Sequence, residues 1–441
     1  MKNLKKIFAI FLVLMFAFSS FSQDNSGVPD DDRGLFSNDE NTKEKTKEKT
    51  KEKKSFWDRW FEIGIVADVG LSNNYFNISD FFQEEIIINL DEINNSLGKN
   101  GLGFNTLLGA DVFLNLNTSI FKLSFFADVE SSINFNLEKG LFEFLANGNQ
   151  LDQDIVFGAG VGVNVFEENS ISLEIPINRL KIKAVPSYFI PVLYVPYTPA
   201  TITTQTKSDG TIEAHANVTA AAYSALPLNN LENFSADSIT DILSIGGFDI
   251  SVYGEYKLFS FLDVGAFLTH VPIVPSKLNC TNKYTATANF TMGGLLDSLT
   301  SEEESELVKY DYSLSENEAT EDDGINLVRP FKIGFNANWR VFDNKLLIIS
   351  PMIQFKFADF TLKNLIGFGF DYSVTAKSHL GPFIPSFTTS CIDSVFSQQL
   401  DIVLNLRLFE IDLMISSQSR NFLKSFAGSG LGVGVGVKVG I

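Results

Sequence analysis

The chain has 441 residues and a formal charge of −19, with 53 acids against 34 bases and 42 Phe beside only 3 His and 2 Cys. At 45% hydrophobic residues it is too apolar for a disordered chain, and it is too poor in Cys for a disulfide scaffold. The acid excess leaves no basic face for a nucleic-acid partner, and so few His and Cys leave little from which to build a metal or nucleophile site.

Residues 1–22 read as a cleaved signal peptide. Lys2, Lys5 and Lys6 make a positive start, Ile7 to Phe18 an apolar run too short to span a bilayer, and Ser20 and Ser22 the small residues before the cut. No Cys lies near that junction, so no lipid anchor is expected there. Residues 23–59 are predicted to be a solvated tether. It has an acidic patch (Asp30, Asp31, Asp32, Asp39, Glu40), then a Thr-Lys-Glu-Lys repeat starting at Thr42, Thr46 and Thr50.

From residue 60 onward the pattern has period two. Leu102, Phe104, Leu108, Val112, Leu114 and Leu116 share one phase, opposed by Asn105, Gly109, Asp111 and Asn115. The next segment alternates in the other phase, with Phe121, Leu123, Phe125, Val129, Ile133 and Phe135 against Lys122, Ser124, Phe126, Asp128 and Glu130. Pairing Leu116 with Phe121 puts every apolar residue opposite another, as a hairpin register requires. Similar alternation recurs at 331–341, 366–377 and 431–441, and more briefly near 61–71, 155–166, 171–185, 247–258, 261–271, 346–357, 398–408 and 410–417. No uninterrupted apolar run of helical-span length follows residue 22.

Tight turns are expected at 117–120 and where strands close with an aliphatic residue, Phe and a short polar residue: Val165-Phe166-Glu167, Leu258-Phe259-Ser260, Val341-Phe342-Asp343 and Leu408-Phe409-Glu410. Between them lie long connections at 72–101, 138–154, 186–246, 272–329, 358–397 and 418–429. Short turns at one end and long loops at the other is the asymmetry of an outer-membrane barrel. A secreted sandwich would also alternate, but with shorter strands and its apolar faces turned inward. The fold class expected is all-β: a transmembrane antiparallel β-barrel over 60–441 with twelve to fourteen strands, fourteen preferred, and helical segments in the outer loops. Its polar phase nominates lumen-lining residues: Glu62, Asp68, Asp111, Asp128, Glu130, Lys332, Arg340, Lys356, Asp371, Lys377, Asp401 and Arg407.

In the loops, Phe82, Ile86, Leu90, Ile93 and Leu97 fall at helical spacing, with Asp80 and Gln83 as an N-terminal cap. That helix is a candidate gate or pocket wall, or else a simple cap on the barrel. Weaker helical signals lie at 235–245 and 292–308. Residues 297–323 carry eleven acids but no calcium-loop spacing, which fits a solvated loop. Pro186, Pro191, Pro196 and Pro199, with Tyr188, Tyr194 and Tyr197, predict an extended segment at the membrane edge. Cys280 and Cys391, both placed in outer loops, are candidates for a disulfide. Gly158-Ala159-Gly160-Val161-Gly162 opens no helix, and His215, His270 and His379 are scattered, so no enzyme, cofactor or metal is expected.

On this alternation and turn asymmetry, the span 60–441 resembles bacterial outer-membrane β-barrels. More loosely, its size and helix-bearing loops are similar to the long-chain fatty-acid transporter group. That group's Asn-Pro-Ala element is missing here, and the last residue is Ile441 where such barrels usually place Phe or Trp. The resemblance implies an outer-membrane channel or transporter for small or hydrophobic solutes, fatty-acid-like ligands included. It implies outer-membrane lipid and the barrel-assembly machinery as partners. The alternative is a surface adhesin or structural barrel.

Overall fold

The computed structural model describes residues 59–77, 89–98, 101–118, 120–148, 151–225, 242–292, 308–317, 324–342, 346–357, 369–392 and 394–441. The expected signal peptide, most of the tether, Phe82, Ile86 and most of the acidic 297–323 segment lie outside them.

The chain is strand almost throughout: β1 (Phe61–Asn73), β2 (Leu102–Asn117), β3 (Lys122–Leu137), β4 (Asp154–Ile177), β5 (Leu180–Thr206), β6 (Ile212–Ser224), β7 (Gly247–Phe259) and β8 (Leu262–Val274). Next come the short β9 (Ser276–Leu278), then β10 (Cys280–Met292), β11 (Val308–Asn317), the short β12 (Ile325–Leu327), β13 (Lys332–Arg340) and β14 (Ile348–Lys356). The last are β15 (Gly369–Lys377), β16 (Phe383–Ile392), β17 (Val395–Asn405), β18 (Phe409–Ser419) and β19 (Leu431–Gly440). Fourteen of these pair antiparallel into a closed wall, in the order β1-β2-β3-β4-β5-β7-β8-β13-β14-β15-β16-β17-β18-β19 and back to β1. Closure leaves the wall without a free edge, the condition for spanning lipid. Trp60 N–H donates to the Ile441 carbonyl (2.8 Å), so the two ends of the wall are stitched together.

Register assigns the faces. Ile63, Ile65, Val69 and Leu71 on β1 sit opposite Val439, Val437, Val433 and Leu431 on β19, and all are exposed. The intervening Glu62, Gly64, Asp68 and Gly70 meet Gly440, Lys438, Gly434 and Gly432 on the other face. An apolar outside around a polar inside is the reverse of a soluble sandwich, and this is a transmembrane β-barrel. Among the described residues no helix is long and apolar enough to cross a membrane.

Three expectations about the strands are corrected. Val165-Phe166-Glu167 is no turn: β4 runs through it, with bulges in its pairing to β5 near Val161 and Val165, and turns instead at Asn178-Arg179. Asn178 takes φ +58, a left-handed conformation that Asn tolerates better than most residues. The β2–β3 hairpin pairs Leu116 with Leu123 rather than Phe121, because Thr118 anchors a wider turn by accepting from the Ile120 and Phe121 amides. A two-residue slip keeps every side chain on its face. The supposed long loop 358–397 contains β16, joined to β15 by 378–382 and paired with β17 from Ile392 and Val395 onward.

Strand β5 has 27 residues, where about 9–11 suffice to cross a bilayer. Its first half lies between β4 and β7 in the wall. Beyond Leu193 it leaves β7 and pairs with β6, which pairs with β10, which pairs with β11. A second sheet (the upper parts of β4 and β5, then β6, β10 and β11) thus rises from the wall at the long-loop end. One face carries Thr201, Thr203, His215, Asn217, Thr285 and Thr287, and the other Ile202, Ala214, Ala216 and Val218. Pro191, Pro196 and Pro199 of β5 fall between Phe189, where pairing to β7 ends, and Thr201, where regular pairing to β6 sets in, and a missing N–H is tolerated there; Pro186 lies within the β7 ladder, opposite Ile250.

Candidate functional site

The lumen is the candidate site. Two walls of opposite charge face each other across it. Asp111 on β2 pairs with Asp128 on β3, which pairs with Glu168 on β4, while Asp68 and Glu130 flank that rung. Lys332 on β13 pairs with Lys356 on β14, while Lys377 lies at the other end of β15, opposite Ile348 and level with Arg340 near the tight turns. Strand β13 stands seven places from β1 in a wall of fourteen, so acids and lysines lie on opposite sides. Asp68 points inward yet is exposed, so the lumen there holds accessible space.

Aromatic rings line part of the interior. Phe113 and Phe126 are register partners, the Phe166 and Phe189 ring centroids are 6.4 Å apart, and Tyr253 stacks on Phe267 at 5.9 Å. Lys183 bridges the row, with Nζ 5.9 Å from the Phe126 ring and 5.1 Å from that of Tyr253. Glycines make room for these rings: a Cβ at Gly64 would strike Phe113, at Gly334 Phe267 and at Gly247 Phe189. The ring tips therefore press on neighbouring backbone; Phe113, Phe166, Phe189 and Phe267 are buried, and Phe126 and Tyr253 stay half-buried toward the lumen.

The tight-turn end is locked by charge. Arg59 Nη1 donates to Glu62 (2.7 Å) and Glu410 (3.4 Å), Nη2 to Asn405 (3.0 Å), and Nε to the Arg407 carbonyl (2.5 Å). Lys438 Nζ donates to the other oxygen of Glu410 at 2.7 Å, and Asn115 donates to Glu62. Farther up, Arg329 enters from the segment after β12. Its Nε and Nη2 fork onto Asp249 (2.8 and 2.7 Å), Nη1 donates to Glu168, and the guanidinium lies 5.2 Å above the Phe189 ring.

Of the nominated lining residues, Glu62 joins the Arg59 lock, Arg340 pairs with Asp263, and Asp371 accepts from Gln354 (3.0 Å). Asp401 accepts from Ser386 at 3.4 Å. Arg407 is a correction: it occupies the exposed turn 406–408 at φ +71, because β17 ends at Asn405, and only its carbonyl serves the lock. Leu90 and Ile93 belong to a short helix, Leu90–Ser96, capped by Asn89, while the expected cap at Asp80 and Gln83 lies outside the described residues. Ile93 packs with Leu97, Leu102 and Phe142 at the rim, against the helix Lys139–Asn147. Both cysteines lie on strands, not in loops. Cys391 is on the outward face of β16 between Tyr372 and Phe396, and the Cys280 backbone, at the head of β10, pairs with Ser224. The Cys280 side chain is outside the description.

Arg59, Arg329 and the inward rings were missed by sequence reasoning. The rings had a signal: Phe113 and Phe126 occupy the polar phase of otherwise strict alternation. Among the described residues no group of three His, Cys, Asp or Glu could hold a metal ion.

No family model and no curated protein matches the chain. Among solved structures, a TodX monoaromatic hydrocarbon channel lacking S2 and S3 is similar at 9% identity, with a TM-score of 0.44 over 88% of this chain and 92% of that one. The Ralstonia pickettii toluene transporter TbuX is similar at 7% identity and TM-score 0.42, over 87% and 90% of the two chains. The translocator domain of the Neisseria meningitidis autotransporter NalP follows at 7% identity and TM-score 0.29, over 86% and 88%. The barrel assignment rests on the strand pairing itself. The protein is a closed fourteen-strand antiparallel β-barrel with an apolar outer face.

Proposed function

We propose that this barrel is an outer-membrane channel for small solutes, apolar and aromatic ones foremost. The observation that carries the proposal is the inward aromatic row beside an accessible, charge-lined lumen. The half-buried Phe126 and Tyr253 rings give an apolar solute dispersion contacts, and the charged walls keep the remaining space wet. A wall of about fourteen strands is too wide to be filled by side chains alone. In this reading residues 1–22 direct export, the tight turns face the periplasm, and the Thr-Lys-Glu-Lys tether hangs there below the Arg59 lock. Outer-membrane lipid meets the apolar belt, and the alternating C-terminal strand is the signal read by the assembly machinery.

The test is reconstitution. Purified protein is expected to conduct ions in planar bilayers and to speed 1-naphthol entry into vesicles with a lipopolysaccharide leaflet. Phe126→Ala and Phe267→Ala should slow 1-naphthol more than ions. A barrel that is folded by its heat-dependent gel mobility, yet neither conducts nor speeds entry, overturns the proposal.

A second reading is favoured by the sheet that rises from β5. Its exposed Thr, Asn and His face is a surface on which a neighbouring molecule could be held, as in an adhesin. Deleting β6, β10 and β11, which lie outside the wall, while keeping β7 and β8 would then abolish cell contact and leave conductance intact.

A further inference from the structure

Three carboxylates stand side by side where the lumen has its acidic wall: Asp111, Asp128 and Glu168 are direct register partners on adjacent strands. Like charges placed directly opposite on a sheet repel, and a low-dielectric wall strengthens the repulsion. Glu130 and Asp249 add to the same field. Nothing on the β1–β4 wall itself supplies a cation at this level.

The cation comes from outside the wall. Arg329 belongs to the excursion between β8 and β13, and its neighbours hold it in place. Leu327 and Val328 are buried, Leu327 within a cluster with Ile190, Tyr194 and Leu278. Strand β12 is zipped to β9, and the Pro330 carbonyl lies 3.3 Å from His270 Nδ1 on β8. So anchored, the guanidinium forks onto Asp249, reaches Glu168 and covers the Phe189 ring. A bidentate carboxylate and an aromatic face are what an organic cation in transit would seek. Here the chain's own arginine already occupies them.

We infer that Arg329 is the specificity-determining residue of the lumen: it occupies the cation subsite made by Asp249, Glu168 and the Phe189 ring and offsets part of the acidic charge there, so the passage admits uncharged solutes more readily against cations than it would without it. This rests on the channel reading above. It assigns the solute class to one side chain on a segment that forms no part of the barrel wall.

The test compares wild type with Arg329→Met and Arg340→Met in planar bilayers under a KCl gradient. Arg340, paired with Asp263 near the tight turns, is a lumen arginine away from the rung. Arg329→Met should raise the potassium-to-chloride permeability ratio by about tenfold, the low end for a charge-lined cleft. Arg340→Met should move it much less, and Arg329→Met combined with Asp249→Asn should bring it part of the way back. Equal shifts in the two single variants, or none in Arg329→Met, overturn the inference while leaving conduction established. Should wild type carry no current, the channel reading falls, and the local claim is read from stability. Dilute guanidinium should then raise the unfolding temperature of Arg329→Met but not of wild type, and identical responses overturn it. If Arg329→Met fails to assemble, Arg329→Lys is used, with a smaller shift expected because the fork is lost but the charge retained.

Discussion

The outward face of β19 offers a ruler for the claim that it lies in lipid. A strand rising about 3.3 Å per residue and tilted about 40° gains roughly 2.5 Å of depth per residue. Val435 is at the middle of Leu431–Gly440, so Ile441 lies roughly 15 Å below it, beyond half of an apolar band about 25 Å tall. Both are exposed on the apolar side, by 49% and 58%, so neither substitution empties a core. Val435→Arg should destabilise the folded barrel by about 2–4 kcal/mol, and Ile441→Arg by about 0–1 kcal/mol. The first corresponds to a shift of about 30- to 700-fold in the folding equilibrium. Urea titration of protein refolded into phosphatidylcholine vesicles, read by tryptophan emission and heat-dependent gel mobility, measures both. Equal effects at the two depths, or a Val435→Arg protein that disperses as a folded monomer without detergent, would refute the lipid-facing assignment.

Other outcomes follow from the same geometry. Arg59→Ala leaves Glu62 and Glu410 beside Lys438 alone, and should lower stability by roughly 1.5–3 kcal/mol, the range for bonds to charged groups; an unchanged urea midpoint would show that the lock is ornamental. Gly334→Ala must lift the Phe267 ring off the backbone, with an expected loss of about 1–3 kcal/mol and an altered near-ultraviolet dichroism from the Tyr253 stack. Asn178→Val forces a branched residue into the left-handed region, a loss of about 1–3 kcal/mol, whereas Asn178→Gly should be close to neutral. In the β5–β6 turn, the Thr211 amide donates to Asp209 (2.9 Å) and holds its carboxyl below the ordinary 3.8. That turn is therefore firm above pH 3.8 and loosens as pH falls through the lowered value; amide exchange at Thr211 that stays constant between pH 5 and about 2 would contradict it.

The wall was legible because lipid on one side and water on the other impose alternation with few exceptions. Leu431 to Ile441 could be assigned face by face before any pairing was known. The branch at β5 was legible only in part: 202–222 and 283–290 read as β segments, in the wall or as hairpins above it, and their weak apolar phase did not decide between the two. Polar residues misled after Val165-Phe166-Glu167, which read as the close of a strand although Glu168 reaches inward to Arg329 and Asn169 donates to Glu167. Arg407 shared the inward phase but belongs to a turn, a boundary that periodicity does not mark. Arg59 and Arg329 stand outside the wall strands, and their roles depend on partners hundreds of residues or half a barrel away.

Strand β5 makes the barrel and its superstructure one mechanical body. Hydrogen bonds along its length transmit load far better than a loop would, so torque on the exposed tip travels down the strand instead of being absorbed at a hinge. It arrives at Phe189 to Leu193, where β5 trades one neighbour for another and the Phe189 ring supports Arg329. A molecule gripping the tip is thus levered against the ionic centre of the lumen.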